Sequence, residues 1–197
     1  GLMVFAKTSK AASRLSDQIR RRYLRRDYIA LCHGKPDSEN GVFIDYLTKK
    51  PQEGKVRATG ADDGVRAELS YKLLWRDAEQ DRSLLYIRLD TGRRHQIRAQ
   101  LALRDLPILG DYRYSAMTAA DQELASPALH AAGLGLDHPT KKEKIYFFSS
   151  PLYNDSFSSV SGEIMQEVLI AARKNGLLPG EESRPFLRAA IKTSCMI

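Results

Sequence analysis

Cysteine is scarce in this chain: Cys32 and Cys195 are the two in 197 residues. They are too few and too far apart for a disulfide framework or a paired-cysteine metal site. A reducing compartment, the cytoplasm or an organellar matrix, is the expectation. Long apolar runs are missing as well. None approaches the roughly 20 residues that span a bilayer, which argues against a membrane protein. The N-terminus lacks the charge, apolar stretch and cleavage site of a signal peptide, and no internal repeat or low-complexity tract occurs. There is no initiator methionine either. Gly1 is followed at once by Leu2-Met3-Val4-Phe5-Ala6 with no turn or cap before it, so the run reads as a buried strand entered partway, and sequence ahead of it is expected.

What is present is an ordinary globular composition, 43% hydrophobic and 28% charged, with a formal net charge of +7. Such a charge permits binding to a polyanion without requiring it, so the placement of the cations carries the argument. After Leu2–Ala6, Thr8 or Ser9 is placed to cap a helix running to about Arg22, with Ala12, Leu15 and Ile19 on one face. Its end and opposite face carry Arg14, Arg20, Arg21, Arg22, Arg25 and Arg26, either as a solvated terminus complementing the macrodipole or as a phosphate-contacting ridge.

Tyr28 to Gly34 reads as a strand ended by Gly34-Lys35-Pro36, with Tyr28, Ala30 and Cys32 on one face and Ile29, Leu31 and His33 on the other. Gly41 to Leu47 is a further strand, and 49–65 an exposed loop or irregular hairpin. Glu68–Trp75 and Leu84–Leu89 form an antiparallel pair joined by Arg76–Arg82. A helix is expected from about Arg94 to Arg104, with Ile97, Leu101 and Leu103 inward, followed by a turn at Pro107–Asp111. Ala128–Leu136 and Lys144–Phe148 supply two strands. Gly162–Asn175 forms an amphipathic helix, with Ile164, Val168, Ile170 and Ala171 apolar and Gly176 as its stop. Strands outnumber helices without regular alternation, so the expected class is α+β: a mixed, mostly antiparallel sheet flanked by helices.

One segment stands out: Asp90-Thr91-Gly92-Arg93-Arg94-His95-Gln96-Ile97-Arg98. Three arginines, a histidine and a glutamine crowd the place where a strand ends at a glycine and a helix begins. Cations in a first helical turn oppose the dipole, so an anion is expected to offset them. His95 alone is more often a satisfied structural histidine; the cluster as a whole points to a binding site.

These pieces, taken in order, resemble the RluA/RluD type of RNA pseudouridine synthases. The matching strings are Gly1–Lys7, Tyr28–Gly34, Ala67–Tyr71, Thr91–Arg98, Pro107–Asp111, and Leu129-His130-Ala131 with His138-Pro139. The resemblance covers about residues 1–151 and implies a pseudouridine synthase fold. It divides the chain into a partial catalytic domain at 1–160 and a C-terminal helical extension at 161–197. It implies isomerisation of uridines in structured ribosomal or transfer RNA, with no metal or cofactor. Tyr28 becomes the tyrosine that stacks on a flipped uracil, and Arg98 the arginine partner of a catalytic aspartate. Arg93, Arg94, His95 and Gln96 become local contacts to the flipped nucleotide, and Arg21, Arg22, Arg25 and Arg26 a second electrostatic footprint. Leu129 and His130 either line the base pocket or pack the sheet. The family's catalytic aspartate lies in a His-Arg-Leu-Asp motif just ahead of the position of Gly1, outside the sequence given. The rival reading is a non-catalytic RNA-binding or ribosome-assembly protein of the same fold.

Overall fold

A computed structural model describes residues 1–50, 54–115, 121, 124–141 and 143–178; Cys195 and the rest of the expected extension from residue 179 on lie outside the described residues. Among the described residues the α-helices and strands follow in the order α1 (Ser9–Arg20), β1 (Arg25–His33), β2 (Asn40–Thr48), β3 (Gly64–Asp77), β4 (Arg82–Leu89), α2 (Gln96–Ala102), β5 (Leu129–Asp137), β6 (Lys144–Phe148) and α3 (Gly162–Lys174). The strands form one six-stranded sheet in the order β2-β3-β4-β1-β5-β6, with every pairing antiparallel. The class is α+β, as the pattern implied. Among the described residues no helix is long and apolar enough to cross a membrane.

Register decides which side chains share a face, because directly paired residues project to the same side of a sheet. Tyr28 pairs with Ile87, Ile87 with Tyr71, and Tyr71 with Gly41. Every second residue along β2 from Gly41, namely Phe43, Asp45 and Leu47, therefore faces the same way as Tyr28. α2 lies on this face: Ala99 packs against Leu47 and Ala67, and Gln100 Nε2 donates to Asp45 Oδ2 at 2.6 Å. α1 lies on it too, over the other end. Its Leu15 joins Leu134 and Leu136 of β5, and Leu134 pairs with Arg26, two residues before Tyr28. The two helices thus flank a gap floored by β1 and β4, with Tyr28 in the floor.

The opposite face carries Asp27 and is covered by α3. Arg173 stands 5.0 Å from the Phe148 ring centroid, and Leu177 O accepts from Arg25 Nη2 at 2.6 Å. α3 contributes Met165, Val168, Leu169 and Ala172 to the same core cluster as the central strands, so the helix beyond residue 160 packs against the six-stranded sheet. Gly176, at φ 67°, ends it. Asp27 is fully buried and accepts from Arg25 Nε at 2.7 Å, Arg88 Nε at 3.1 Å, Tyr86 Oη at 2.7 Å and Tyr146 Oη. Burial, with this carboxylate beside it, pushes the Tyr86 hydroxyl up to about 12 and raises that of Tyr146 further.

Several sequence expectations change. Leu2–Ala6 is not a strand: Leu2 N donates to Ala131 O, and Met3 and Phe5 are exposed. Thr8 caps α1 by accepting from Ala11 N, but the inward face is Leu15 and Gln18, with Ala12 and Ile19 exposed. Gln18 wins its place through polar bonds, its amide spanning Asp137 N and O at 2.8 Å each. α2 is two residues shorter at each end than expected, and Leu103 is exposed. In α3 the buried residues are Met165, Val168, Leu169 and Ala172, leaving Ile170 and Ala171 exposed. Part of the expected loop 49–65 is tied to β2, since Ala58 bridges Leu47 and the residues at 51–53 are outside the described set.

Candidate functional site

The turn from β4 into α2 is held by one buried amide. Gln96 is 2% exposed; its Oε1 accepts from Thr91 Oγ1 at 2.8 Å and from Arg93 N at 2.9 Å, and its Nε2 donates to Glu68 O at 3.0 Å. The expectation that Gln96 touches RNA is therefore corrected: every polar atom of its side chain is used inside the protein. His95 precedes the helix in the left-handed region at φ 52°, so Arg94 lies outside the helix that carries Arg98. Arg93 and Arg94 project from this turn and are exposed, Arg93 Nε also donating to Arg66 O at 3.1 Å. The cations thus sit on the turn before the helix, where they oppose its dipole less than first-turn residues would.

Arg98 is gripped by a carboxylate that sequence reading did not assign to it. Its Nε and Nη2 donate to Asp111 Oδ2 and Oδ1 at 2.7 and 2.6 Å, a bidentate fork. Asp111 is 1% exposed, and its Oδ1 also accepts from Arg113 N at 3.2 Å and Tyr114 N at 3.3 Å. The Tyr114 ring lies under the Arg98 guanidinium, 5.1 Å from its centroid, and the Tyr114 hydroxyl is 3.0 Å from His95 Nδ1. The hydrogen bonds to Asp111 raise the Arg98 pKa still further above neutrality. Burial first, then the cations Arg98, Arg113 and Arg94, lower that of His95, so its ring is neutral at pH 7. A guanidinium has five N–H donors, and two are spent here. Arg98 keeps three for another anion. The signal in the sequence was Leu109-Gly110-Asp111 downstream of α2, read as a turn and as one of the matching strings but not as the partner of Arg98.

Tyr28 is half-buried in the floor of the gap and packs against the core. Burial raises its hydroxyl pKa, partly offset by the nearby Arg26. Tyr28 and Arg98 occupy the same side of the sheet, one in the floor strand and one on a flanking helix; no described hydrogen bond or ring contact joins them. Gly1 lies against Ala131, the β5 partner of Tyr28.

The remaining candidates divide. Arg21 is exposed and bound to Asp17 Oδ2 at 2.8 Å, and Arg22 is exposed at φ 61°. Arg25 belongs to the buried Asp27 cluster on the opposite face, which removes it from an RNA footprint on this side. Leu129 pairs with Ala30 and shares the Tyr28 face, whereas His130 pairs with Ile29 and points to the other. The base-pocket reading of His130 is corrected accordingly. Its Nε2–H donates to Ser149 O at 3.1 Å and its ring meets Phe157 edge-on. Two open grooves of about 690 and 510 Å³ run along α1 and the β5–β6 turn and include neither Tyr28 nor Arg98. Among the described residues no cluster of three or more His, Cys, Asp or Glu is arranged to hold a metal ion.

His130 carries a stability prediction. Burial lowers its pKa from 6.5 to about 4, so the folded state resists a proton that the unfolded chain accepts. Stability is therefore full above pH 6.5 and falls as pH drops toward 4. The loss between pH 7 and 4.5 is expected to be about 2–3 kcal/mol. Urea denaturation at the two pH values should show it, and His130→Gln should remove most of the difference.

Comparison with known proteins adds a family. Residues 1–103 match the family described as RNA pseudouridylate synthase. An uncharacterized RNA pseudouridine synthase of Chloroflexus aurantiacus is 37% identical over 155 residues, 79% of this chain and 47% of its own length. YlyB of Bacillus subtilis, likewise named an uncharacterized RNA pseudouridine synthase, is 32% identical, covering 89% and 53%. Ribosomal large subunit pseudouridine synthase D of Nitrosomonas europaea is 34% identical, covering 79% and 45%. The chain thus spans about half the length of these relatives. The fold is similar to that of human RNA pseudouridylate synthase domain containing 1, with a TM-score of 0.65 and 18% identity over 83% of this chain and 73% of that one.

Proposed function

The chain belongs to the RNA pseudouridylate synthase family, and from that premise we propose that its parent protein isomerises specific uridines in ribosomal or transfer RNA to pseudouridine. The observation that carries this reading is a half-buried tyrosine in the floor between two helices, one of which presents a pre-oriented arginine. In the reaction the C1′–N1 bond breaks, the uracil turns in place, C1′ bonds to C5, the C5 proton leaves and N1 gains one. The target must first leave its stack. Tyr28 offers a ring face to the everted base, and its hydroxyl assists loss of the C5 proton. Arg98, held in position by Asp111, uses its remaining N–H donors to keep a reacting carboxylate ionised in a closed site. In the family that carboxylate belongs to a His-Arg-Leu-Asp motif, a string that does not occur in residues 1–197. Arg93 and Arg94, exposed on the turn, contact phosphates, which position RNA without reading its sequence. The soluble compartment holding the RNA, cytoplasm or organellar matrix, is part of the same proposal.

The decisive measurement is mass-spectrometric mapping of pseudouridine in RNA from cells with and without the gene. Loss of modification at defined uridines is expected. Unchanged modification at every site would overturn the enzyme reading and favour a non-catalytic RNA-binding protein. Binding itself should weaken linearly in a log–log plot against salt. Arg93→Ala and Arg94→Ala should each lower the slope by roughly one unit, while affecting all RNA sequences alike.

A further inference from the structure

Arg26 was grouped with the outer arginine ridge, but its placement differs from that of Arg21 and Arg22. It pairs with Leu134 in β5 and leaves β1 on the Tyr28 side, where its charge reaches Tyr28 and Asp90. Its guanidinium lies directly over Gly92: a Cβ built there would collide with Arg26 Nη1 and stand 3.0 Å from Cζ. The side chain is half-buried, its Nε is buried without a hydrogen-bond partner, and it forms no ion pair among the described residues. Asp90 is the carboxylate within electrostatic reach. It does not close to contact; burial, with Glu68 beside it, raises its own pKa.

An unpaired, partly desolvated guanidinium is costly unless an anion completes it. The contrast with Arg98 and Arg25 is informative, since each is ion-paired with a buried carboxylate. A neutral uracil carbonyl cannot offset the charge; a phosphodiester can, its oxygens accepting from the Nη groups of the guanidinium. Resting on the pseudouridine synthase reading, we infer that Arg26 is a substrate-binding residue that clamps one backbone phosphate flanking the everted uridine over the Gly92 turn. It thereby fixes the sugar of the target relative to Tyr28. Gly92 has a role in this beyond shape. Its φ is outside the left-handed region, so the absence of a side chain serves the guanidinium above it.

The test uses the whole natural protein and a synthetic RNA hairpin carrying a uridine located by the mapping above. The phosphates on either side of that uridine are replaced singly by neutral methylphosphonate. One replacement is expected to slow single-turnover isomerisation by about 10- to 100-fold in the wild-type protein. Arg26→Ala should cause a loss of similar size on unmodified RNA and none further on that hairpin. Gly92→Ala should act like Arg26→Ala and add nothing in its background. A wild-type protein indifferent to both replacements, or an Arg26→Ala variant that keeps full sensitivity to them, overturns the phosphate role while leaving the isomerase reading intact. If no uridine loses its modification in the mapping, the isomerase reading fails and the phosphate role fails with it.

Discussion

Replacing Tyr28 by phenylalanine in the whole protein is expected to lower the rate of pseudouridine formation by roughly 10²–10⁴-fold, the usual range for a lost acid–base group. RNA affinity should stay within a few-fold. The ring that packs against the core and stacks on the base is kept, so folding and docking persist. What is lost is the hydroxyl, whose pKa burial already raises. Single-turnover kinetics on a target hairpin, beside an equilibrium binding curve, separates the two effects. Normal turnover in the phenylalanine variant would refute a role for the hydroxyl and leave Tyr28 as a stacking platform alone.

The second large effect is expected at Arg98, where chemistry and stability are coupled. Arg98→Ala removes the partner of a carboxylate that is 1% exposed, and breaking a buried pair from one side costs about 3–5 kcal/mol. A lower Tm is therefore expected together with loss of turnover. Arg98→Lys separates them. A lysine keeps the charge near Asp111 and most of the stability, but it has no second pair of donors in a planar fork, so turnover should remain at least roughly 10²-fold down. Asp111→Asn should leave Arg98 present but poorly oriented, with turnover reduced less than in Arg98→Ala. Kinetics and thermal melts on the three variants test the scheme. An Arg98→Lys protein that turns over normally would remove the bidentate geometry from the mechanism.

Much of the site was legible because its signals are local. Gly92 before a run of cations, and an aromatic at the start of an apolar alternation, are each patterns among a few neighbouring residues. Arg98 was found through its motif. Its relation to Asp111 was missed because thirteen residues separate them, and only the packing of the turn at Asp111 against α2 brings the carboxylate to the guanidinium. Gln96 shows the opposite error. A glutamine among arginines looks like a ligand contact until its three internal hydrogen bonds are seen. Arg25 and Arg26 are neighbours in sequence with opposite fates, because consecutive residues of a strand project to opposite faces. One is consumed by Asp27 and the other is left over Gly92.

The sequence by itself determined which segments alternate, where helices are capped or stopped, and therefore the α+β class and the six strands of the sheet, although it also counted Leu2–Ala6 as a strand. Those properties depend on neighbours within a few positions, on the two-residue and 3.6-residue periods, and on residues such as Thr8, whose hydroxyl caps a helix, and Gly176, whose positive φ ends one. Tertiary structure decided the rest: which cations are spent and which remain open, that His130 turns away from Tyr28 while Leu129 does not, and that α1 and α2 flank one floor. Those outcomes follow from strand register. A register pairs residues dozens of positions apart, and no local pattern specifies the partner.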